Sequence, residues 1–395
     1  MNQLPVLIVG GGIGGMTLAL ALAKNNIASC VLEQADHLRA EGSGIQFCPN
    51  TFKVLDYLGI ADRFEKVAFF PDYLCYRDGI SGKEFIRLPL GDKIVERFNY
   101  PFGSFKRDEM LMAFLSACRE EPLIQFETDA KVIHVEEYAN KVIAKTSKGG
   151  LIEGSLLVGS DGIWSIVRKY VLGEDKPRIS GQIIYRGVVD RNEMPSHLDL
   201  DSIVHYVKPS AHLVHYPIGK HNYINISAIF QADRIPDYRE CKGNEEELFK
   251  WFEGANDDVL EILSHVDKNR MWCLCDYEPS RNWSKGRVVL LGDSIHATLP
   301  YMTSGAGMAV EDAVVLSQML EKYEDYSTAF KKYEEERYLR TSYVQYFSRA
   351  YGEAHHSSGV AREIRNQYLS NWSTDETYNW VSFLYSGIHL TKEAV

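Results

Sequence analysis

The sequence predicts an α/β chain of more than one unit, and three observations predict it. A strand, glycine loop, helix and strand open the chain, alternating apolar and polar residues fill positions 181 to 275, and a charged helical stretch begins near residue 323. The nucleotide-type unit is expected to be discontinuous, over residues 1–70, 98–180 and 276–350. Residues 71–97 and 181–275 are expected to form an antiparallel-sheet substrate domain laid over it, and residues 351–395 a C-terminal helical segment.

With 395 residues, 45% of them hydrophobic and 25% charged, the chain is long enough for two or three domains around a large cofactor. A formal net charge of -11 argues against nucleic acid as a partner, because phosphate binding needs a basic surface to displace counterions. The seven cysteines, Cys30, Cys48, Cys75, Cys118, Cys241, Cys273 and Cys275, are scattered without a CxxC pair and read as reduced thiols. Cys273 and Cys275 are expected on one face of a strand as core filling. The N-terminus lacks a basic segment ahead of its apolar run, and no apolar run is long enough for a membrane span, so a cytoplasmic protein is expected.

Val6 to Val9 suit a strand buried on both faces, and Gly10, Gly11, Gly12, Ile13, Gly14 and Gly15 follow at once. A leucine- and alanine-rich helix then leads to a second strand, Ile27 to Leu32, which ends at Glu33. In such a GxGxxG loop Gly10 serves the tight turn, Gly12 lets the backbone approach a pyrophosphate, and Gly15 lets the helix pack close to the strand. Glu33 is placed to accept hydrogen bonds from the hydroxyls of an adenosine ribose. The context points to a dinucleotide without separating FAD from NAD, since both present the same ADP half.

A second segment runs from the strand Leu156 to Val158 into Gly159, Ser160, Asp161 and Gly162. Alone, Asp161 would read as a helix N-cap. A third runs from the strand Arg287 to Leu291 into Gly292 and Asp293, where a carboxylate can take a ribityl hydroxyl. Gly305, Ala306 and Gly307 then start an apolar helix whose free N–H groups and positive dipole end suit the anionic edge of a reduced flavin.

GxGxxG with Glu33, the segment Asp161 to Arg168, and Gly292-Asp293 followed by Pro300 and Gly305 together resemble the group A flavoprotein monooxygenases, typified by para-hydroxybenzoate hydroxylase. The resemblance spans nearly the whole chain. It implies tightly bound FAD, with the first motif on its ADP, the Asp161 segment on its pyrophosphate and on NAD(P)H, and the Asp293 segment on its ribityl chain. It extends to Arg107, in the stretch Phe105 to Leu111, as an arginine on the ribityl side. Lys106 stands where many relatives carry His. The chain has no second strand-GxGxxG-helix unit, as in that family, where NADH or NADPH visits without a Rossmann domain of its own.

Strands are expected at Gly181 to Asp190, Ile203 to Val207, His212 to Pro217, Tyr223 to Phe230 and Met271 to Cys275, with a smaller insert from Phe70 to Leu90. His212, Val214 and Tyr216 then share one face, and His215 turns to the other. An imidazole with an ordinary pKa of about 6.5 can take a proton from a ring hydroxyl, which makes the ring electron rich toward an electrophilic oxygen. His212 and Tyr216 are accordingly the candidate catalytic pair. Their spacing resembles 3-hydroxybenzoate 6-hydroxylases and 6-hydroxynicotinate 3-monooxygenases, in which matching positions contact substrate. Salicylate hydroxylases look similar but often carry Phe in place of Tyr216. Gln46, Pro300 and Tyr301 depart from one or other of these branches. His296 is expected either to line the pocket or to hold its loop through a backbone hydrogen bond.

The expectation is an FAD-dependent monooxygenase that consumes NAD(P)H and dioxygen and hydroxylates a hydroxybenzoate or hydroxypyridine carboxylate. Carbon dioxide would leave if oxygen lands on the carboxylate-bearing carbon. A salicylate hydroxylase, a flavin oxidase or dehydrogenase that inserts no oxygen, and a non-catalytic FAD-binding redox sensor stay open as alternatives. No metal is expected, and the chain is expected as a monomer or homodimer.

Overall fold

The three glycine-and-acid segments leave the carboxyl ends of neighbouring strands. The computed structural model describes residues 4–37, 43–233 and 242–390. Its six-stranded sheet runs Ser284–Lys285, Val288–Leu290, Leu156–Gly159, Val6–Val9, Ser29–Leu32, Ile124–Glu127. Every pair is parallel except the edge hairpin formed by the first two. Val6–Val9 lies inside the sheet with all four residues buried, a position that suits a wholly apolar, β-branched run. The helix Ile13–Lys24 is wedged between this sheet and the helix Gly305–Lys322. Contact there is close, since a Cβ on Gly14 would lie 2.7 Å from Leu291 and 3.3 Å from Ala309.

The second large sheet has seven strands in the order Trp272–Asp276, Arg178–Asp190, Tyr223–Gln231, Ala211–Ile218, Ile203–Lys208, Tyr73–Asp78, Glu84–Pro89. Its neighbours are antiparallel with one exception: Ile203–Lys208 runs parallel to Tyr73–Asp78. A tight turn forces strands to run antiparallel, but these two meet from distant parts of the chain and no turn sets their sense. Register carries one row of side chains across the sheet, Arg186 beside Ser227, Val214, His205 and Tyr76.

The charged helical stretch is the helix Tyr326–His355, which continues past Gly352, where a stop is the simpler reading. Glycine is required at this helical position because Tyr301 occupies the space of a side chain: a Cβ there would come within 2.6 Å of the Tyr301 ring. The helices Gly359–Ser370 and Thr374–Tyr385 then fold back on the Tyr73–Pro89 hairpin. Arg362 forks onto Asp78 at 2.7 and 2.6 Å, and the Tyr378 hydroxyl donates to Pro89 O at 2.6 Å.

Cys273 and Cys275 share a face with their sulfurs 3.9 Å apart, half-buried on an edge strand and outside the apolar core. Cys30, Cys48, Cys75 and Cys118 are buried free thiols, and Cys241 lies outside the described residues. Among the described residues no helix is long and apolar enough to cross a membrane.

Candidate active site

At the first loop Gly10 has φ +106°, and a Cβ there would meet Ser160 O at 2.5 Å, so only glycine lets the first segment touch the second. A Cβ on Gly15 would overlap Gly10 O, which locks the helix start onto the loop. Gly12 differs: nothing lies within 4 Å of its Cβ position, and it precedes the helix Ile13–Lys24 without a side-chain cap. First-turn N–H groups are thereby left to the groove. Glu33 stands at its rim, accepting from Gly11 N at 2.8 Å and Ala35 N at 2.9 Å.

Asp161 is taken up locally, accepting from Ile166 N at 2.8 Å, Val167 N at 3.3 Å and the Ser165 hydroxyl, and burial raises its carboxyl pKa. It thus shapes the turn and caps the helix Ile166–Leu172. From that helix the buried Arg168 donates to Ser294 O and Ile295 O, both at 3.0 Å, and fastens the second segment to the third. Gly292 N donates to Asp312, and Gly305 follows so closely that its Cβ position is 3.9 Å from Asp293 Oδ1. Crowding by protein raises the Asp293 carboxyl, although the group still opens onto the cleft. Ser304 turns its hydroxyl to Met302 O and leaves the helix Gly305–Lys322 uncapped, so the N–H groups of Gly305 and Ala306 meet the cleft. Gly307 is buried where a Cβ would press on Thr51.

Arg107 opens the helix Arg107–Glu120, with its N–H bonded to Ser43 O at 3.0 Å. Its exposed guanidinium acts electrostatically on Asp293 and Arg186, and no carboxylate among the described residues pairs with it. Open space at Gly12, two uncapped helix starts and a cation without a counter-ion are what a ring-bearing, anionic dinucleotide requires. The residues present fit FAD.

A cavity of about 260 Å³ separates the seven-stranded sheet from the loop Thr298 to Ala306. His212, Val214 and Tyr216 line it, with Arg186 and Ser227 beside them. His212 Nδ1 shares a 2.9 Å hydrogen bond with His356 Nε2. Burial, then the imidazoles of His356, His355 and His205, hold His212 well below its ordinary pKa. It is therefore neutral near pH 7, not the partly protonated base an unperturbed imidazole would be. The Tyr216 phenol is pushed up by burial against the opposing pull of Arg186. Gly44 makes room for it, since a Cβ there would come 2.7 Å from the hydroxyl.

Arg186 stacks on Trp272 at 5.1 Å and is lowered by burial and by Arg107. Among the described residues no carboxylate pairs with it. Tyr301 and Gln46 complete the wall, and Tyr301 donates to Gln182 at 2.8 Å. His215 turns to the other face and bonds to Asp199 O at 2.9 Å. His296 points away from the cavity toward Asp312, a side-chain partner and not a backbone one. A second cavity of about 380 Å³, mostly apolar, shares Gln46, His205, Tyr301 and Thr303 with the first and reaches under the C-terminal helices. Among the described residues no cluster of His, Cys, Asp and Glu is arranged to hold a metal ion.

Sequence reasoning included Arg168 in the second segment without giving it a role, and it missed Arg186, His205, His355 and His356. Arg186 had a usable signal, because it alternates in phase with Ile184 on an expected strand. His356 had none, lying 144 positions from its partner.

The sequence family described as FAD binding domain matches residues 3–348. The chain is 34% identical to 3-hydroxybenzoate 6-hydroxylase 1 of Aquipseudomonas alcaligenes, over 96% of this chain and 97% of that one. It is 29% identical to 6-hydroxynicotinate 3-monooxygenase of Bordetella bronchiseptica, over 86% and 89% of the two chains. Among solved structures, Klebsiella pneumoniae HpxO in complex with FAD and uric acid superposes with a TM-score of 0.85 at 25% identity, covering 97% of each chain.

Proposed function

The chain belongs to the FAD binding domain family and, within it, to the flavin-dependent aromatic hydroxylases, and on that premise we propose that it hydroxylates a phenol or hydroxypyridine carrying a ring carboxylate, with NADH or NADPH and dioxygen as cosubstrates. Bound FAD supplies the reducing equivalents that activate dioxygen. Gly10, Gly12, Gly14, Gly15 and Glu33 hold its ADP half, and Asp161 keeps the adjoining turn in shape. Arg107, Asp293 and the helix start at Gly305, Ala306 and Gly307 hold the flavin half.

One observation carries the substrate class: Arg186, a guanidinium without a counter-ion, faces the same cavity as a neutral imidazole and a phenol. Burying an unpaired cation is costly, and a substrate carboxylate relieves that cost with charge-assisted hydrogen bonds. Arg186 lies two strands from Val214, roughly 10 Å by strand spacing, which one substituted ring bridges with a hydrogen bond at each end. His212 then takes the proton of the ring hydroxyl, the Tyr216 phenol donates a hydrogen bond to the oxygen left behind, and Val214 packs on the ring.

The test measures NADH and NADPH oxidation, oxygen uptake and product mass with 3-hydroxybenzoate, 6-hydroxynicotinate, salicylate and 3-amino-4-hydroxybenzoate. At least one is expected to yield product that carries one oxygen atom from dioxygen, either added to the ring or in place of a carboxylate lost as carbon dioxide. Arg186→Met should then raise KM at least about tenfold, the worth of a hydrogen-bonded charge, with FAD content unchanged. Oxidation with no oxygen from dioxygen in the product, or an unmoved KM, overturns the reading.

A further inference from the structure

His212 has one nitrogen committed inside the protein and one left for the cavity. Nδ1 is held by His356 Nε2 at 2.9 Å, so a substrate hydroxyl meets Nε2. A neutral imidazole surrounded by three others has no counter-ion with which to keep a proton. It can take one only if it passes one on in the same event.

His356 is built to receive it. It follows the last turn of the helix Tyr326–His355, and Ser210 N donates to its carbonyl at 3.1 Å, which anchors it beside the strand that carries His212. The residue is half-buried where His212 is buried, so its outer nitrogen is the one toward water. The groups facing the pair are His205 from Ile203–Lys208, His355 from the long helix, Tyr301 from the cleft loop, and Lys208 and Arg365 on the outer side. None of these is a carboxylate. Lys208 is occupied with Trp251 O, and Arg365 with Ala354 O and His355 O. A proton arriving on His356 therefore finds no trap and is repelled outward.

We propose that His356 is the proton exit of the active site. The phenolic O–H of the substrate breaks as His212 Nε2 gains the proton, His212 Nδ1–H passes to His356 Nε2, and His356 Nδ1–H passes to water. One proton leaves the cavity, both imidazoles exchange tautomers, and no electrons move. The step rests on the hydroxylase reading above, because it needs a substrate hydroxyl at His212. It makes His356 a positioning and relay residue that touches no substrate.

The experiment mixes oxidised, FAD-loaded protein with whichever of the four compounds above the parent hydroxylates, 3-hydroxybenzoate first, in a weakly buffered solution and follows proton release with an indicator dye in a stopped-flow instrument. The parent should release about one proton per site, with turnover that rises with pH. His356→Gln keeps a hydrogen bond to Nδ1 but cannot exchange tautomers, and His356→Ala leaves a space for free imidazole. Both should slow proton release and hydroxylation at least about tenfold, a modest share of what acid-base catalysis supplies. Imidazole should restore His356→Ala and leave His356→Gln unmoved, with FAD content and circular dichroism of both parent-like. Parent-like release in both variants overturns the exit and leaves the hydroxylase reading standing, as does slow release that imidazole fails to restore. A parent that hydroxylates none of the four compounds named above overturns both.

Discussion

Two clusters of polar side chains lie inside the molecule, and they meet the cost of burial in opposite ways. Behind the helix Gly305–Lys322, Glu311 and Asp312 ion-pair with Arg337 at 2.8 and 2.7 Å, all three without solvent exposure. Arg340 forks onto Glu311 from the side, and His296 meets Asp312. Burial opposes these charges, yet His296 and Arg337 outweigh it and bring Asp312 down to about 2. At and behind the cavity wall His205, His212, His355 and His356 face one another with no carboxylate beside them among the described residues, and burial holds them neutral, His205 down to about 3 and His356 to about 4. The difference assigns their work. Counter-ions fix charge in place and make a rigid support for the Asp293 loop, whereas unpaired imidazoles cannot keep a charge and so can pass one along.

The largest expected effect breaks the ionic side. Arg337→Met leaves Glu311 and Asp312 buried with only Arg340 and His296 to offset their charge and should cost about 3–5 kcal/mol. Urea unfolding of the FAD-loaded protein measures it, and the triple change with Glu311→Gln and Asp312→Asn should recover much of the loss. Near-parent stability in the single variant would mean the cluster is not held by charge.

Acid separates the two clusters. An unfolded chain protonates its histidines near ~6.5, while the folded sites of His205, His215 and His356 refuse the proton until about pH 3 to 4. The unfolded state therefore binds more protons between these limits, and stability falls as pH drops below 6.5, by up to about 1.4 kcal/mol per pH unit for each such imidazole. His212 and His355 add in the same direction. Asp312 works in a lower window: its contribution is whole above its unfolded pKa of ~3.9 and is lost as pH falls toward 2. Melting curves should accordingly show Tm falling already between pH 6.5 and 5. A flat Tm across that interval, with loss only below 4, would mean the imidazole cluster takes up protons without strain.

The two sides were also unequally legible in the sequence. The nucleotide end could be read because each determinant is local: Gly10, Gly12 and Gly15 act on a single loop, and the strands that carry the three segments announce themselves as short apolar runs. Their adjacency is the parallel order of one sheet. Asp161 was legible as an acid at a turn, and its capping bonds account for it without a ligand. The cavity was legible only along one strand, as the alternation of His212, Val214 and Tyr216. What completes it comes from elsewhere, Arg186 across two strand pairings and His355 and His356 from the end of the long helix Tyr326–His355. Glu311 and Asp312, two acids inside an apolar helical run, were a visible sign of buried charge, but their partner Arg337 sits on a stretch that otherwise reads as a solvated face.

The smallest expected effect sharpens the contrast within one strand. His212 and His215 are both buried and both kept neutral, but strand alternation turns them to opposite faces. His215 shares a hydrogen bond with Asp199 O and nothing in the cavity, so His215→Gln should lose about 1–3 kcal/mol of stability for a weakened buried bond. Its hydroxylation rate should stay within about twofold of the parent, because the changed side chain lies behind the sheet. His212→Gln should reverse that pattern, keeping stability and FAD while losing on the order of a hundredfold in rate. Measured together by thermal melts and product formation, equal rate losses in the two variants would mean that the strand as a whole supports turnover, and that its cavity face holds no special share of the chemistry.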